Sequence, residues 1–276
     1  MSRLLFNIYI ILLLFSCSSS NEEKNISNQI KTDVALYREG MKYLNMREYE
    51  KSVEIFSELE IVHPYSSYST KSQLMAGFAQ YLDNKYEEAI LTLSKFVELN
   101  PDHKSVPYAM YLRAYSYFER IPDVRFEQKI SERAHEEFIE LVNRFPKSKY
   151  AKKSIAHIKT LKNHLAAREV KIGKFYQSQG YYLASIKRYK TVLSEYKRSM
   201  HIPESIFRLI ECYTFLGLIR QTYYLYRILD YNFPKSQWVR EAKRIVDTDD
   251  IKKNARKFKK KDLDIQNLDI GKFDLI

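Results

Sequence analysis

The chain has 276 residues, 45% of them hydrophobic, with only 6 glycines and 7 prolines. That composition can fill a core and argues against a β-rich or disordered chain. An excess of 46 Lys and Arg over 34 Asp and Glu gives a formal charge of +12, which raises nucleic acid, acidic proteins and anionic membranes as partners until location narrows them. Tyrosine is over-used, 23 against a single tryptophan. Its apolar ring and polar tip suit half-buried surfaces between stacked helices.

The N-terminus addresses location. Arg3 precedes an apolar run from Leu4 to Phe15, broken only by Asn7. This run is too short to span a bilayer but suits the apolar region of a signal peptide. It ends Leu14-Phe15-Ser16-Cys17 and passes into a polar run. The arrangement resembles the lipobox of bacterial lipoproteins, although Phe15 is bulkier than the residue usual there. The alternative is an ordinary signal peptide with a chance cysteine. On the lipobox reading, residues 1–16 are removed and Cys17 carries a diacylglycerol and an N-acyl chain, enough for a stable anchor. No aspartate follows Cys17, which among lipoproteins implies the outer membrane, with the fold facing the periplasm. That location leaves nucleic acid an unlikely fit for the charge. Residues 17–31 read as a polar tether.

From Thr32 a helical period takes over and one phrase repeats. Ser52, Phe56 and Leu59 share a helix face ahead of Pro64. The phrase returns at Ala89/Leu93/Phe96/Pro101, Ala134/Phe138/Leu141/Pro146, Ser185/Tyr189/Val192/Lys197 and Thr222/Tyr226/Leu229/Pro234. Proline lacks an N–H and disfavours helix in the residue before it, so each helix stops there. Three copies continue as Pro-x-Ser-x-aromatic, at Ser66, Ser148 and Ser236, where the hydroxyl can cap the next helix. Gly40, Gly77 and Gly173 fall at one register position, with Ala114 and Ile210 in the other two copies; a small residue there lets paired helices approach. Gly180, Gly217 and Asn84 share another position, a turn between paired helices that calls for a left-handed residue.

This register resembles the tetratricopeptide repeat. The fold class is therefore all-α, an α-solenoid of five such repeats followed by a capping helix from Ser236. The stops lie 37, 45, 51 and 37 residues apart, against about 34 in the consensus repeat. Pro122 seats an inserted loop in repeat three. No breaker stands between Pro146 and Gly173, so one helix is predicted from about Lys149 to Ser178. Repeats one to three occupy 32–145, and repeats four and five with the start of the cap occupy 146–246. Residues 247–276 form a basic tail, a solvated helix end or a docking surface for an acidic partner or lipid head groups.

No enzyme motif is present: no G-x-S-x-G, Walker loop, G-x-G-x-x-G or C-x-x-C. No cofactor is expected beyond the acyl chains. His157 and His164 lie seven apart on one helix without a third ligand, so no metal site is expected. Cys212, in an apolar helical stretch, reads as a buried small hydrophobe. The first helices of such repeats face the concave side. The residues placed there are Tyr37, Leu74, Phe78, Tyr81, Tyr108, Tyr111, Tyr115 and Phe118, then the more polar Val170, Lys174, Gln177 and Ser178. The aromatic stripe reads either as a groove for an extended client segment or as core packing between helices.

The phrases HPYSSYS, LNPDHKSVPYAMYLRAYSYF, NRFPKSKYAKKSI and YYLASIKRYKTVLSEY, together with the lipobox, resemble the BamD family of outer-membrane lipoproteins. The resemblance covers about Thr32 to Trp238. It implies a non-enzymatic scaffold of the β-barrel assembly machine, whose partners are the POTRA domains of BamA, other Bam lipoproteins and unfolded outer-membrane protein segments. It also implies that Arg188, in the Ile-x-Arg phrase, contacts BamA; an ordinary exposed helix arginine is the other reading. The lysine-rich tail departs from the family. A periplasmic tetratricopeptide scaffold of the Tol/cell-division type is the alternative, distinguished by having no lipid cysteine.

Overall fold

The computed structural model describes residues 31–124, 126, 128–248 and 251. Cys17, the signal segment, almost all of the tether and the lysine-rich run lie outside the described residues. Residues 1–32 are a unit separate from 33–276, which holds every helix discussed below. Those helices are α1 (Asp33–Asn45), α2 (Tyr49–Val62), α3 (Ser67–Leu82), α4 (Tyr86–Leu99), α5 (Val106–Glu119), α6 (Lys129–Arg144), α7 (Lys149–Ser178), α8 (Tyr182–Glu195), α9 (Ile202–Phe215), α10 (Ile219–Asn232) and α11 (Gln237–Val246). Each packs mainly on its neighbours in sequence, and first helices also touch across repeats. The result is a tetratricopeptide α-solenoid with no strand among the described residues. No helix there is long and apolar enough to cross a membrane.

The helix boundaries follow from the stops and caps in the sequence. Val62 ends α2 two residues before Pro64. Ser66, Ser148 and Ser236 are the N-caps of α3, α7 and α11, their hydroxyls accepting from the N–H groups of Tyr68, Ala151 and Trp238. Each satisfies one of the donors that a helix start leaves free. With no breaker in its path, α7 runs the full 30 residues from Lys149 to Ser178.

Within a repeat the closest approach is at the small residue. A Cβ on Gly40 would stand 2.5 Å from the Phe56 ring, on Gly77 2.8 Å from Leu93 and on Gly173 2.5 Å from the Tyr189 ring. The missing side chain is filled by the partner's, and Phe56, Leu93 and Tyr189 are all buried. In repeats one and four a serine ties the same contact. Ser52 Oγ donates to the Gly40 carbonyl at 2.9 Å and Ser185 Oγ to the Gly173 carbonyl at 2.8 Å. Repeat five inverts the volumes: Ile210 is buried and Tyr226 is only half-buried.

The turns between paired helices share one geometry. Asn84, Gly180 and Gly217 have φ of 59°, 78° and 71°, and so does Arg47 in repeat one, at 62°. In all four, the N–H of the following residue reaches back five residues: Glu48 to Tyr43, Lys85 to Gln80, Tyr181 to Tyr176 and Leu218 to Tyr213. This is the Schellman closure, which wants a left-handed residue. Arg47 adopts it without the glycine or asparagine that marks the turn elsewhere. Arg47→Gly is therefore expected to raise stability by about 0.5–1 kcal/mol in urea unfolding. An unchanged or lower midpoint would mean that the arginine side chain offsets its backbone strain.

Repeat three has no such turn. A loop joins α5 to α6, and buried Gln128 organises it: its amide donates to the carbonyls of Asp123 and Phe126, while its oxygen accepts from Ser131 Oγ at 2.7 Å. Midway along α6, Glu137 is 2% exposed and paired with Arg113 of α5 and Arg133 of its own helix. At the C-terminal end Trp238 of α11 stacks on Phe207 at 5.1 Å and closes the core. Cys212 is fully buried, its Sγ 3.7 Å from Ser185 Oγ. Burial pushes its thiol up to about 11, so it packs as a small hydrophobe with little thiolate to react.

Candidate functional site: an aromatic stripe and a polar cleft

The aromatic residues of α3 and α5 touch one another in a ladder. Phe78 meets Tyr108 at 6.4 Å between ring centroids, and Tyr81 meets Tyr115 at 6.1 Å. Along α5, Tyr111 stacks on Tyr115 and Tyr115 on Phe118, at 5.8 and 5.6 Å. These pairs follow from i, i+4, i+7 spacing, which places residues on one helix face. Tyr150 of α7 packs against Tyr108 and Tyr111, and His157, two turns further on, faces Tyr111, Tyr115, Phe118 and the buried Phe138. His157 Nε2 lies 3.3 Å from the Tyr111 hydroxyl. Burial lowers the His157 pKa, so the ring is neutral near pH 7.

The stripe is thus both packing and surface. Phe78, Tyr81, Tyr108, Tyr111, Tyr115 and Phe118 are each half-buried, one side on the core and the other open. Burial raises the hydroxyl pKa of Tyr81 and of Tyr108 to about 12. Two of the expected lining residues belong elsewhere. Leu74 is only 8% exposed and packs in the core with Ala89, Leu93 and Val106. It sits where α3 meets the second helix of its own repeat, not the open side. Tyr37 is half-buried but joins Phe56 and Tyr68, at 5.9 and 5.1 Å, rather than the ladder.

In the C-terminal half the surface is different. Lys174, Gln177 and Ser178 line a cleft of about 420 Å³ with Tyr182, Arg208, Glu211 and Phe215. Val170 is not part of it: at 4% exposure it belongs to the core with Tyr189 and Ile206. The cleft's charges satisfy each other. Lys174 and Arg208 pair with Glu204, and Arg208 and Gln177 both reach Glu211. Arg188 stands on α8, 40% exposed, with its guanidinium 3.2 Å from Glu169 of α7. It is neither buried nor loose. His164 and His157 gather no third ligand, and no group of three His, Cys, Asp or Glu side chains is close enough for a metal among the described residues.

A family model described as YfiO, outer membrane lipoprotein, matches residues 29–228, from before α1 into the last turns of α10. The chain belongs to the BamD family of outer-membrane lipoproteins. Its BamD relatives include the outer membrane protein assembly factor of Caulobacter vibrioides, 34% identical over 86% of this chain and 77% of that protein. The BamD of Rickettsia prowazekii is 33% identical over 89% of this chain and 97% of its own length. That of Neisseria meningitidis serogroup A is 28% identical over 88% and 95%. Among solved structures, a TPR2AB domain of yeast Sti1 aligns over 78% of this chain and 84% of that chain, with a TM-score of 0.41 and 14% identity. The BamD match takes in both the aromatic ladder and Arg188.

Two features of this surface had no sequence signal. The sequence marks Tyr150 only as the aromatic of a capping phrase, and His157 only as half of a poor metal pair. Both are set against the stripe by the length of α7, which carries them past α5. The serine–glycine hydrogen bonds were equally hidden, because alanine occupies the serine position in repeats two and three.

Proposed function

We propose that this protein is a non-enzymatic, lipid-anchored scaffold of outer-membrane β-barrel assembly. It docks the BamA POTRA domains through its C-terminal repeats and holds extended client or accessory-lipoprotein segments along the aromatic stripe. Membership of a family whose relatives are named outer membrane protein assembly factors supports the role. The single structural observation that carries the client site is the ladder of half-buried rings on α3 and α5. Such rings offer large contact area at small entropic cost, and they are held in place by one another before any peptide arrives. The lipid on Cys17 would keep the scaffold at the membrane and raise its effective concentration beside a membrane-embedded partner.

Arg188 suits a docking role because its guanidinium is oriented by Glu169 yet stays 40% exposed. Its remaining donors can form a charge-assisted bond to a partner carboxylate. The test is co-purification from outer membranes solubilised in mild detergent. An Omp85-type barrel protein should accompany the wild type and be lost, to about a tenth or less, from Arg188→Glu, which places two carboxylates together. Undiminished recovery with that variant would remove Arg188 from the interface. Peptidoglycan or Tol-system partners, with the protein in the soluble periplasm, would support the cell-division reading instead.

A further inference from the structure

At the C-terminal end of α5 the aromatic ladder meets a carboxylate. Glu119 follows Tyr115 by four residues and so lies on the same helix face, and it is exposed. Burial, and with it the Glu119 charge, raises the hydroxyl pKa of Tyr115, Tyr81 and Tyr86. Tyr86, at the start of α4, packs on Tyr81 at 5.8 Å, and Tyr81 packs on Tyr115. Three tyrosine rings thus form one cluster, with Glu119 one turn beyond Tyr115 on the same helix face.

The neighbouring cations are engaged elsewhere. Arg120 pairs with Glu87, and Lys85 pairs with Asp83 and Glu50. Glu119 itself is in no ion pair among the described residues. By contrast Glu204 and Glu211, in the C-terminal cleft, each hold an arginine. Half-buried tyrosine faces beside an unpaired carboxylate fit a cation: the rings attract it through their quadrupoles, and the carboxylate through its charge. Acidic groups would be repelled and a wholly apolar side chain would leave Glu119 unmatched.

We propose that Tyr81, Tyr86, Tyr115 and Glu119 form a pocket for a lysine or arginine side chain of an extended peptide lying on the aromatic stripe. This rests on the reading of the stripe as a peptide site. It adds a charge rule to it: a bound segment needs a basic residue in register with its apolar ones.

The full-length acylated protein in mild detergent is titrated with two fluorescent peptides of alternating aromatic and polar residues. One carries a central lysine and the other norleucine at that place. The lysine peptide should bind the wild type about five- to tenfold more tightly, an advantage that Glu119→Gln abolishes and raised salt diminishes. Norleucine binding should not weaken with Glu119→Gln. Because Glu119 is exposed, this variant leaves the fold intact. Equal binding of the two peptides to the wild type overturns the pocket and leaves the stripe as a peptide site. Failure of both peptides to bind overturns both. A photo-crosslinking residue at Tyr86 should capture the added peptide; capture of the protein's own residues 252–261 would overturn the proposal by making the basic run the occupant.

Discussion

Glu137→Ala is expected to cost about 3–5 kcal/mol of stability, the range for removing one partner of a buried ion pair. Glu137 is 2% exposed and Arg113 only 12%. Without Glu137, the Arg113 guanidinium keeps contacts only at 3.5 Å, to Ser94 Oγ and to Glu140, which is 44% exposed and also pairs with Arg144. A guanidinium so placed can neither reach water freely nor deprotonate. Arg133 loses less, being 54% exposed. The check is urea unfolding of the single variant beside Arg113→Met/Glu137→Leu, which removes both charges while keeping bulk. The double variant should regain most of the loss, because an apolar pair avoids the desolvation cost altogether. A single-variant cost under about 1 kcal/mol would show that Glu140 swings in as a substitute.

Gly173→Ile is expected to cost about 3 kcal/mol, at the upper end for overpacking a filled core. The Cβ alone would stand 2.5 Å from the Tyr189 ring, and that ring has nowhere to move. Tyr189 is fully buried, and its hydroxyl donates to Gln177 Oε1 at 2.8 Å. Either α7 and α8 part, which strains the Ser185–Gly173 hydrogen bond, or the ring leaves. Repeat five shows the second solution in the native chain, with Ile210 inside and Tyr226 half out. The loss of glycine from a helix returns less than 1 kcal/mol, too little to compensate. Denaturant midpoints measure the cost, and near-ultraviolet circular dichroism reports whether a tyrosine has been released. A cost under about 1 kcal/mol would mean that the hairpin tolerates repeat five's arrangement anywhere.

The features visible in the sequence were those with a local cause. The small residues at Gly40, Gly77 and Gly173 show through their repeated register, while the proline stops, the serine caps and the turns at Asn84, Gly180 and Gly217 each act within a few residues of themselves. So does the absence of a breaker between Pro146 and Gly173. Arg47 carries no sequence mark of its turn, because arginine has no left-handed preference of its own. Leu74 and Val170 were placed on the open side because a single helix face was assigned to the groove. A first helix has two buried lines, one on its own partner and one on the next repeat, and these residues lie on them. The candidate site was half legible for a similar reason. The tyrosines on α5 could be listed from their spacing, but not Tyr150 and His157, which reach them only through the fold.

The uninterrupted α7 has a mechanical consequence. At 1.5 Å per residue its 30 residues form a rod about 45 Å long. Its first half packs beside α5 and α6, and its second half pairs with α8 and touches α9. Tetratricopeptide arrays usually flex by small rotations at the short turn between repeats. Here the turn at Pro146 leads into one continuous hydrogen-bonded shaft that serves both repeats. A force applied where the tyrosines lie would be carried along the shaft to the surface beside Arg188, so the two surfaces would tilt together rather than fold toward each other.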